Sequence, residues 1–328
     1  QPLSDAERAA LASRTVTNAP AHIAGDYPEW LDGHLAQVFG DERVAEATAM
    51  ASRAPLDLRV NTLKAKREKV LGSLVHLGAA ATPWSPLGLR IVLGADARNP
   101  GIHAEEDFIK GAIEVQDEGS QLAALFSGAK PGEQVIDLCA GAGGKTLALA
   151  AMMQGKGRLI ATDDDKRQLA PIHERLSRAG VHNAEVRTPK GATDTLADIK
   201  ASADLVFVDA PCTGTGTWRR NPDAKWRMRP GALEQRVKEQ AEVLDRAAAL
   251  VKPGGRIAYV TCSVLGQENG AQIAAFTARH PDFAVVPPEQ AAGVLWDKAE
   301  AFAAAARLMP EGLLMTPYRT GTDGFFVS

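Results

Sequence analysis

The sequence contains few cysteines and no long hydrophobic run. Its three cysteines, Cys139, Cys212 and Cys262, include no C-x-x-C pair, and an odd number does not suit a framework of paired disulfides. We therefore expect no disulfide scaffold, no structural zinc site and no other bound metal. Unpaired cysteines are typical of a reducing compartment, so we expect a cytoplasmic protein. No apolar stretch approaches the roughly 20 residues that a membrane-spanning helix needs, so we expect no membrane partner.

Net charge is also small. The 37 basic and 40 acidic residues give a net charge of -3, which neither indicates nor excludes a nucleic-acid partner. The length of 328 residues predicts about two domains, and we expect a monomer. Because the chain begins at Gln1 rather than Met, we expect further residues to precede it in the full-length protein.

The first 112 residues divide into two regions. Residues 1–52 are predicted to form a helical segment, because Trp30, Leu31, Leu35 and Val38 have the spacing of one helix face. Residues 53–112 are predicted to form a small α/β domain with strands at 56–60 and 84–93 and a helix at 64–77, and a further strand is predicted at 113–116, directly after this domain. Basic residues outnumber acidic ones by six to two over residues 53–69, which favours either a solvated face or an RNA-facing surface.

Strands and helices alternate over residues 113–328. The predicted strands are 135–138, 158–162, 184–187, 205–208 and 257–260, and the main predicted helices end at 153, 179 and 250. Repeated βα units predict an α/β fold with a doubly wound, mostly parallel sheet. Ligands of such sheets bind at the carboxyl ends of the strands.

A glycine turn follows the first strand of this region. It lacks the glycine that a Walker A loop requires at residue 139, and Thr146 stands where a dinucleotide-binding loop has its third glycine. The remaining G-x-G-G pattern is typical of S-adenosylmethionine-dependent methyltransferases, although a purely structural turn is the alternative. The predicted cofactor contacts in this turn are Cys139, Ala140, Gly141, Ala142, Gly143, Gly144 and Lys145.

Three further sites follow the next strands. Asp163 comes directly after the second strand, where an acidic side chain can accept hydrogen bonds from ribose hydroxyls, although it could instead cap a helix. Asp209 and Cys212 follow the fourth strand, and Cys262 follows the fifth. Single cysteines there would ordinarily be inert core residues, but two at neighbouring strand ends favour a chemical role.

A basic loop follows Cys212. Residues 218–229 contain five basic residues and one acidic residue, with Trp218 and Trp226 between them. This composition suits phosphate contacts combined with base stacking, and a solvated loop with structural tryptophans is the alternative. The predicted RNA contacts are Arg219, Arg220, Lys225 and Arg227.

Taken together, these motifs resemble the Sun/RsmB-like family of RNA cytosine-C5 methyltransferases. The resemblance extends from Pro55 to Phe326 and includes the 115–121 segment, the glycine turn, Asp209-Ala210-Pro211-Cys212, the 219–223 segment and Thr261-Cys262-Ser263. It implies a Rossmann-like methyltransferase sheet, a smaller N-terminal RRM-like domain, S-adenosylmethionine as cofactor and RNA as partner. The 219–226 stretch is most similar to the enzymes that act on small-subunit 16S ribosomal RNA.

The resemblance also implies roles for the site residues. Cys262 is expected to add to C6 of cytosine, Cys212 to assist loss of the C5 proton and product release, and Asp209 to bind the N3/N4 edge and contact the cofactor. The related DNA enzymes use a Pro-Cys cysteine as nucleophile, so Cys212 is the rival for that role. Alternative functions are methylation of tRNA cytosine, of uracil C5 or of DNA, and a catalytically silent RNA-binding or assembly factor.

The sequence departs from the family pattern twice. The glycine turn has Gly141-Ala142 where the family usually has Ala-Pro, which predicts a looser turn that keeps its backbone donors. The family also has an aspartate after the third strand that contacts adenosine. This chain has Thr188 and Pro189 there instead, which predicts either weaker cofactor binding or a substitute residue.

Overall fold

Helices form the N-terminal segment, as predicted. The structure is a computed structural model that describes residues 2–13, 18–94, 96–191 and 193–328, so the part of the predicted helical segment at 14–17 lies outside the described residues. The helices are α1 (Asp5–Ser13), α2 (Ala21–Ala24), α3 (Asp32–Phe39) and α4 (Arg43–Ala51). Leu31, Leu35 and Met50 are fully buried in the core beneath one face of the large sheet. The segment therefore covers that sheet.

The small domain contains a four-stranded antiparallel sheet. Its elements are β1 (Leu56–Val60), α5 (Arg67–Ser73), β2 (Ala80–Ala81), β3 (Gly88–Ile91), α6 (Glu106–Ile109) and β4 (Ile113–Val115). The strand order is β2-β3-β1-β4, and the βαββαβ sequence of elements is that of a ferredoxin-like or RRM-like unit. The predicted domain boundary between residues 112 and 113 would assign β4 to the large domain, although β4 pairs with β1 in the small sheet.

The polar face of this small sheet packs against the large domain. Asp57 accepts a hydrogen bond of 3.0 Å from the Glu118 N–H, and Arg59 donates to Gln116 at 2.6 Å, both at buried positions. Lys64 donates to the backbone oxygens of Lys110 and Arg178. Part of the basic run at residues 53–69 therefore joins the two domains instead of facing RNA.

The large domain contains an eight-stranded mixed sheet. Its strands are β5 (Gln134–Asp137), β6 (Arg158–Thr162), β7 (Ala184–Arg187), β8 (Ala203–Asp209), β9 (Val251–Thr261), β10 (Arg307–Met309), β11 (Gly312–Met315) and β12 (Phe325–Val327). Its helices are α7 (Glu118–Phe126), α8 (Gly144–Met152), α9 (Lys166–Leu169), α10 (Ile172–Ala179), α11 (Ala224–Arg227), α12 (Pro230–Leu250), α13 (Gly270–Arg279), α14 (Pro288–Ala292) and α15 (Ala299–Ala305).

The strand order is β10-β11-β12-β9-β8-β5-β6-β7. The five strands from β9 to β7 are parallel, and β12, β11 and β10 extend the sheet in antiparallel pairs. Val135 pairs with Leu205, so the predicted first and fourth strands are neighbours in one sheet. Apolar side chains fill both faces of the sheet in two core clusters. The predicted α/β class and mostly parallel core are confirmed.

Several local predictions differ from the structure. The predicted helix 166–179 is interrupted at Pro171, because proline lacks the N–H that an interior helical position donates. Strand β9 begins at Val251, ahead of a bulge, since Ala203 pairs with Val251 but Leu205 pairs with Arg256. Strands β10 to β12 were not predicted. Within the described residues, no helix is long and apolar enough to cross a membrane.

Candidate functional site

The carboxyl ends of β5, β6, β8 and β9 open into one cavity of about 1120 Å³. This is larger than the 300–1,000 Å³ of an ordinary small-molecule site, so it has room for a cofactor and part of a second ligand. The predicted site residues that line it are Cys139, Ala140, Gly141, Ala142, Gly144, Lys145, Asp163, Asp209, Cys212, Arg220 and Cys262. Residues that are up to 123 positions apart in the sequence are therefore brought together.

The glycine turn between β5 and α8 has the backbone that its composition predicts. Gly143 has φ of 85°, and a Cβ there would lie 2.5 Å from the Ile172 side chain, so both conformation and space favour glycine. Asp163 accepts a hydrogen bond of 2.9 Å from the Gly141 N–H and one of 2.8 Å from the Asp165 N–H. Each Asp163 oxygen retains a second lone pair for a ligand hydroxyl.

Lys145 forms an ion pair with Asp209 across the cavity. Its Nζ donates to Asp209 Oδ2 at 2.6 Å. Burial favours the neutral amine, but the charge and hydrogen bond of Asp209, together with the nearby Cys262 and Asp137, outweigh burial and raise the pKa of Lys145. The side chain therefore stays charged and holds the carboxylate in one orientation at the cavity wall.

The two cysteines at the strand ends are in contact. Cys212 Sγ lies 3.3 Å from Cys262 Sγ, and both residues line the cavity. The hydrogen bond with Cys262 and burial together raise the pKa of Cys212 well above its usual range. Cys212 is therefore a protonated thiol at neutral pH.

A buried carboxylate that sequence reasoning missed joins the two cysteine loops. Glu268 accepts hydrogen bonds from the Thr213 N–H at 2.8 Å, from the Thr213 and Ser263 hydroxyls, and from Gln240 Nε2 at 3.0 Å. Thr213 follows Cys212 and Ser263 follows Cys262, so one side chain fixes the position of both thiols. A single glutamate in a short loop gives no sequence signal for this role.

The two cysteine loops also make close backbone contacts with each other and with Gly324 near the C-terminus. A Cβ on Gly216 would lie 2.2 Å from the Gly324 backbone oxygen, and the Gly324 N–H donates to the Gly216 oxygen at 2.8 Å. The Gly216 N–H in turn donates to the Cys262 oxygen at 3.0 Å. This close approach requires glycine at both positions and packs strand β12 against the site.

Asp137, at the end of β5, is fully buried below the glycine turn. Thr146 Oγ1 donates to Asp137 Oδ2 at 2.6 Å, while Oδ1 has no partner among the described residues. Burial raises the pKa of Asp137 to about 7. Folding therefore favours the protonated acid, and this contribution to stability is present below about pH 4 and lost as the pH rises through 7.

Replacing Asp137 with asparagine should stabilise the protein at high pH. Asparagine stays neutral, so the difference in unfolding free energy between variant and wild type should shift in favour of the variant by about 2–3 kcal/mol from pH 5 to pH 8. Denaturant unfolding of both proteins across this pH range measures the shift. The contributions of the other titrating groups are common to both proteins and cancel in the difference. Parallel stability profiles would contradict the assignment.

Three of the four predicted RNA contacts form ion pairs with aspartates of the protein itself. Arg219 and Arg220 both form ion pairs with Asp117 and Asp323. Lys225 is only 3% exposed and pairs with Asp26. Trp218, one of the two tryptophans expected to stack, is also buried. Sequence composition could not reveal this, because the acidic partners are distant in the sequence.

The rest of the basic loop faces solvent. Trp226 is 57% exposed, and Arg227 and Arg229 are exposed beside it. The Trp226 ring also lies 5.6 Å from Lys225 Nζ. An aromatic face with two exposed guanidinium groups can stack on a base and contact phosphates.

Other residues that line the cavity were not predicted. Helix α12 contributes one charged face at intervals of three or four residues: Arg236, Glu239, Glu242 and Arg246. Gln116 and Arg175 line the cavity near the glycine turn. On the side of β6 the lining also includes Asp164, Asp165 and Gln168. Among the described residues, no group of three or more His, Cys, Asp or Glu could hold a metal ion.

Known proteins resemble this chain over both domains. A family model described as 16S rRNA methyltransferase RsmB/F matches residues 124–328, and another described as Methyltr_RsmF/B-like, ferredoxin-like domain matches residues 27–97. Ribosomal RNA small subunit methyltransferase B of Sodalis glossinidius is 34% identical over 92% of this chain and 64% of its own length. The enzyme of the same name from Salmonella arizonae is 35% identical over 79% of this chain and 59% of its own length.

A solved structure agrees with these matches. The structure of a methyltransferase homolog protein from Pyrococcus horikoshii is 26% identical, with a TM-score of 0.73 over 94% of this chain and 96% of that one. The chain thus spans about three fifths of the length of the curated relatives named above. The family model covers well over half of the sequence, and it confirms the resemblance found in the motifs. The chain belongs to the RsmB/F family of 16S rRNA methyltransferases.

Proposed function

We propose that this chain transfers the methyl group of S-adenosylmethionine to C5 of a cytosine in RNA, through a covalent bond between Cys262 and C6. The observation that carries the proposal is the contact of two thiols at 3.3 Å in a cavity that also contains the Lys145–Asp209 ion pair. C5 of cytosine is a poor nucleophile, and a thiol placed for addition at C6 is what this methylation requires. Family membership makes 16S rRNA the first substrate to test.

The residues of the glycine turn and Asp163 suit the cofactor. The turn leaves backbone donors at the cavity, and Asp163 has free lone pairs for two ribose hydroxyls. When bound, S-adenosylmethionine supplies the methyl group. Lys145 holds the Asp209 side chain in one orientation, so that Asp209 can accept a hydrogen bond from the N4 amino group of the base.

Cys262 and Cys212 have separate roles in the reaction at the base. The Cys262 thiol releases its proton to solvent, and its sulfur forms a bond to C6 while the electron pair of the C5–C6 π bond shifts toward C5. A protonated Cys212 can donate a hydrogen bond to the Cys262 sulfur and so hold that sulfur in position for attack. After C5 is methylated, the C5 proton must pass to a base. Once the Cys262 sulfur is bonded to C6, the hydrogen bond that raises the pKa of Cys212 is weakened, so Cys212 can release its own proton to solvent and take the C5 proton as a thiolate. The electron pair of the C5–H bond then forms the C5–C6 double bond, and the Cys262 sulfur leaves as a thiolate. The target base must be unstacked to expose C6 to this attack.

Methylation of purified RNA tests the proposed substrate. The chain should transfer label from methyl-labelled S-adenosylmethionine to 16S rRNA, and bisulfite sequencing should locate the product at a cytosine. Label in tRNA would favour the tRNA alternative, and label in uracil or DNA would overturn cytosine in RNA as the target. RNA binding without any transfer would favour a silent assembly factor.

Replacing Asp163 with alanine should weaken cofactor binding. Loss of charge-assisted hydrogen bonds to ribose, each worth roughly 1.5–3 kcal/mol, should lower affinity for S-adenosylmethionine by at least about tenfold in calorimetry. Asp165→Ala is the matched control. It removes an equal charge from the same cavity wall, and it also removes the side chain that caps helix α9. Equal effects of the two substitutions would contradict a specific role for Asp163.

The exposed part of the basic loop should contribute to RNA affinity through its charge. An Arg227→Ala/Arg229→Ala double variant should lower the dependence of log Kd on log salt by about two units if both side chains contact phosphates. Lys130→Ala/Lys156→Ala is the matched control, because it removes two exposed charges that precede β5 and β6, at the opposite edge of the sheet. Equal slopes for wild type and both variants would exclude phosphate contacts by this loop.

A further inference from the structure

Three arginines surround one carboxylate where the small sheet meets helix α10. Arg175 Nη2 lies 3.0 Å from one oxygen of Glu114, and Arg178 pairs with the other oxygen. Arg59 is 2% exposed, and its Nη1 and Nη2 are buried with no partner among the described residues, while its Nε donates to Gln116. Glu114 therefore balances only one of the three positive charges.

Arg175 connects this cluster to the cavity. It lines the cavity, and its Nη1 donates to the Ala142 oxygen of the glycine turn at 2.8 Å. A Cβ placed on Gly144 would lie 3.7 Å from Arg175 Nη2 and 3.9 Å from Gln116 Nε2. These donors face the first turn of the nine-residue helix α8, where backbone N–H groups have no partner inside the helix.

The other cations of the cavity wall have their own carboxylates. Lys145 pairs with Asp209, Arg236 with Glu239 and Arg246 with Asp164. Arg220 and Arg219 share two aspartates between them. Arg175 differs from these cations among the described residues that line the cavity. Its carboxylate partner, Glu114, also pairs with Arg178 and lies beside Arg59, so one negative charge faces three positive charges. An anionic group in this largely acidic cavity is stabilised best at Arg175.

We propose that Arg175 binds the carboxylate of the methionine part of S-adenosylmethionine, together with Gln116 and the first turn of α8. This rests on the proposed function. Asp163, on the side of β6, takes the ribose end of the same molecule, so the amino-acid end extends along the glycine turn toward Arg175. Because this end carries the carboxylate, Arg175 selects for the intact amino acid of the cofactor.

Binding of decarboxylated S-adenosylmethionine tests the assignment. Calorimetry should give wild type a roughly 10- to 100-fold preference for S-adenosylmethionine, the range expected for a charge-assisted hydrogen bond. Arg175→Met should remove most of that preference by weakening binding of S-adenosylmethionine more than binding of the decarboxylated analogue. Arg178→Met is the matched control, because it also frees Glu114 but changes a residue that is absent from the cavity lining, and it should retain the preference.

The outcomes separate this inference from the proposed function. If wild type binds neither compound, the proposed function fails. If wild type binds both equally, or if Arg175→Met weakens both by the same factor, the chain still binds the cofactor but Arg175 does not hold its carboxylate. If Arg178→Met also loses the preference for S-adenosylmethionine over the decarboxylated analogue, the effect belongs to the arginine cluster as a whole. That result would overturn the specific role of Arg175.

Discussion

Replacing Cys262 with alanine should abolish methylation and prevent any covalent RNA complex, whereas Cys212→Ala should accumulate one. The nucleophile is needed to form the bond to C6, so without it no later step can begin. In the proposed mechanism Cys212 acts after methylation, when the C5 proton must leave, so its loss should stall the reaction at the adduct. Denaturing gel electrophoresis of labelled RNA, incubated with each variant and S-adenosylmethionine, measures the adduct directly.

A third cysteine provides the control. Cys139 lies in the same cavity, so a Cys212→Ala/Cys262→Ala double variant that keeps Cys139 should form no adduct. Burial raises the pKa of the Cys139 thiol well above its usual range, which makes it a poor nucleophile. An adduct with Cys262→Ala and none with Cys212→Ala would reverse the two roles and move the mechanism toward that of the DNA enzymes. No adduct in either single variant, with RNA binding intact, would favour the silent factor.

Replacing Glu268 with alanine should destabilise the protein by about 3–5 kcal/mol, the cost typical of breaking a buried charged network. Its partners Thr213, Ser263 and Gln240 would be left with unsatisfied buried donors. Because the two cysteine loops would lose their shared anchor, the rate of adduct formation should fall as well. Denaturant unfolding and the denaturing gel measure the two effects separately.

Two variants make this prediction specific. Glu268→Gln keeps the size and one acceptor oxygen, so it should lose less stability and remain folded if the alanine variant does not. Glu118→Gln is the matched control, because Glu118 is an equally buried acid that accepts from the Trp84 and Ser85 N–H groups in the small domain. It should lower stability without slowing adduct formation. If Glu118→Gln and Glu268→Gln slow the adduct equally, Glu268 does not act on the cysteines specifically.

Local pattern by itself determined much of this protein. Strands β1, β6 and β7 match the predicted ranges residue for residue. In β1 the alternation of apolar and polar residues is a local signal, and in β6 it is the short apolar run after Gly157. The glycine turn, Asp163, Asp209 and both cysteines were identified by their positions after strands. Parallel strands of a doubly wound sheet share one carboxyl edge, so the predicted parallel direction of the strands was enough to place these residues at that edge.

Tertiary structure alone decided which charged residues are free to bind a ligand. Arg219 and Lys225 belong to a basic run in the sequence, yet Asp323 and Asp26 pair with them across 104 and 199 positions. Glu268 and Arg175 carry no sequence signal, because their roles depend on hydrogen bonds between loops and on a charge left unmatched between domains. Composition counts charges, but only the fold determines which of them are neutralised by a neighbour and which are exposed to a ligand.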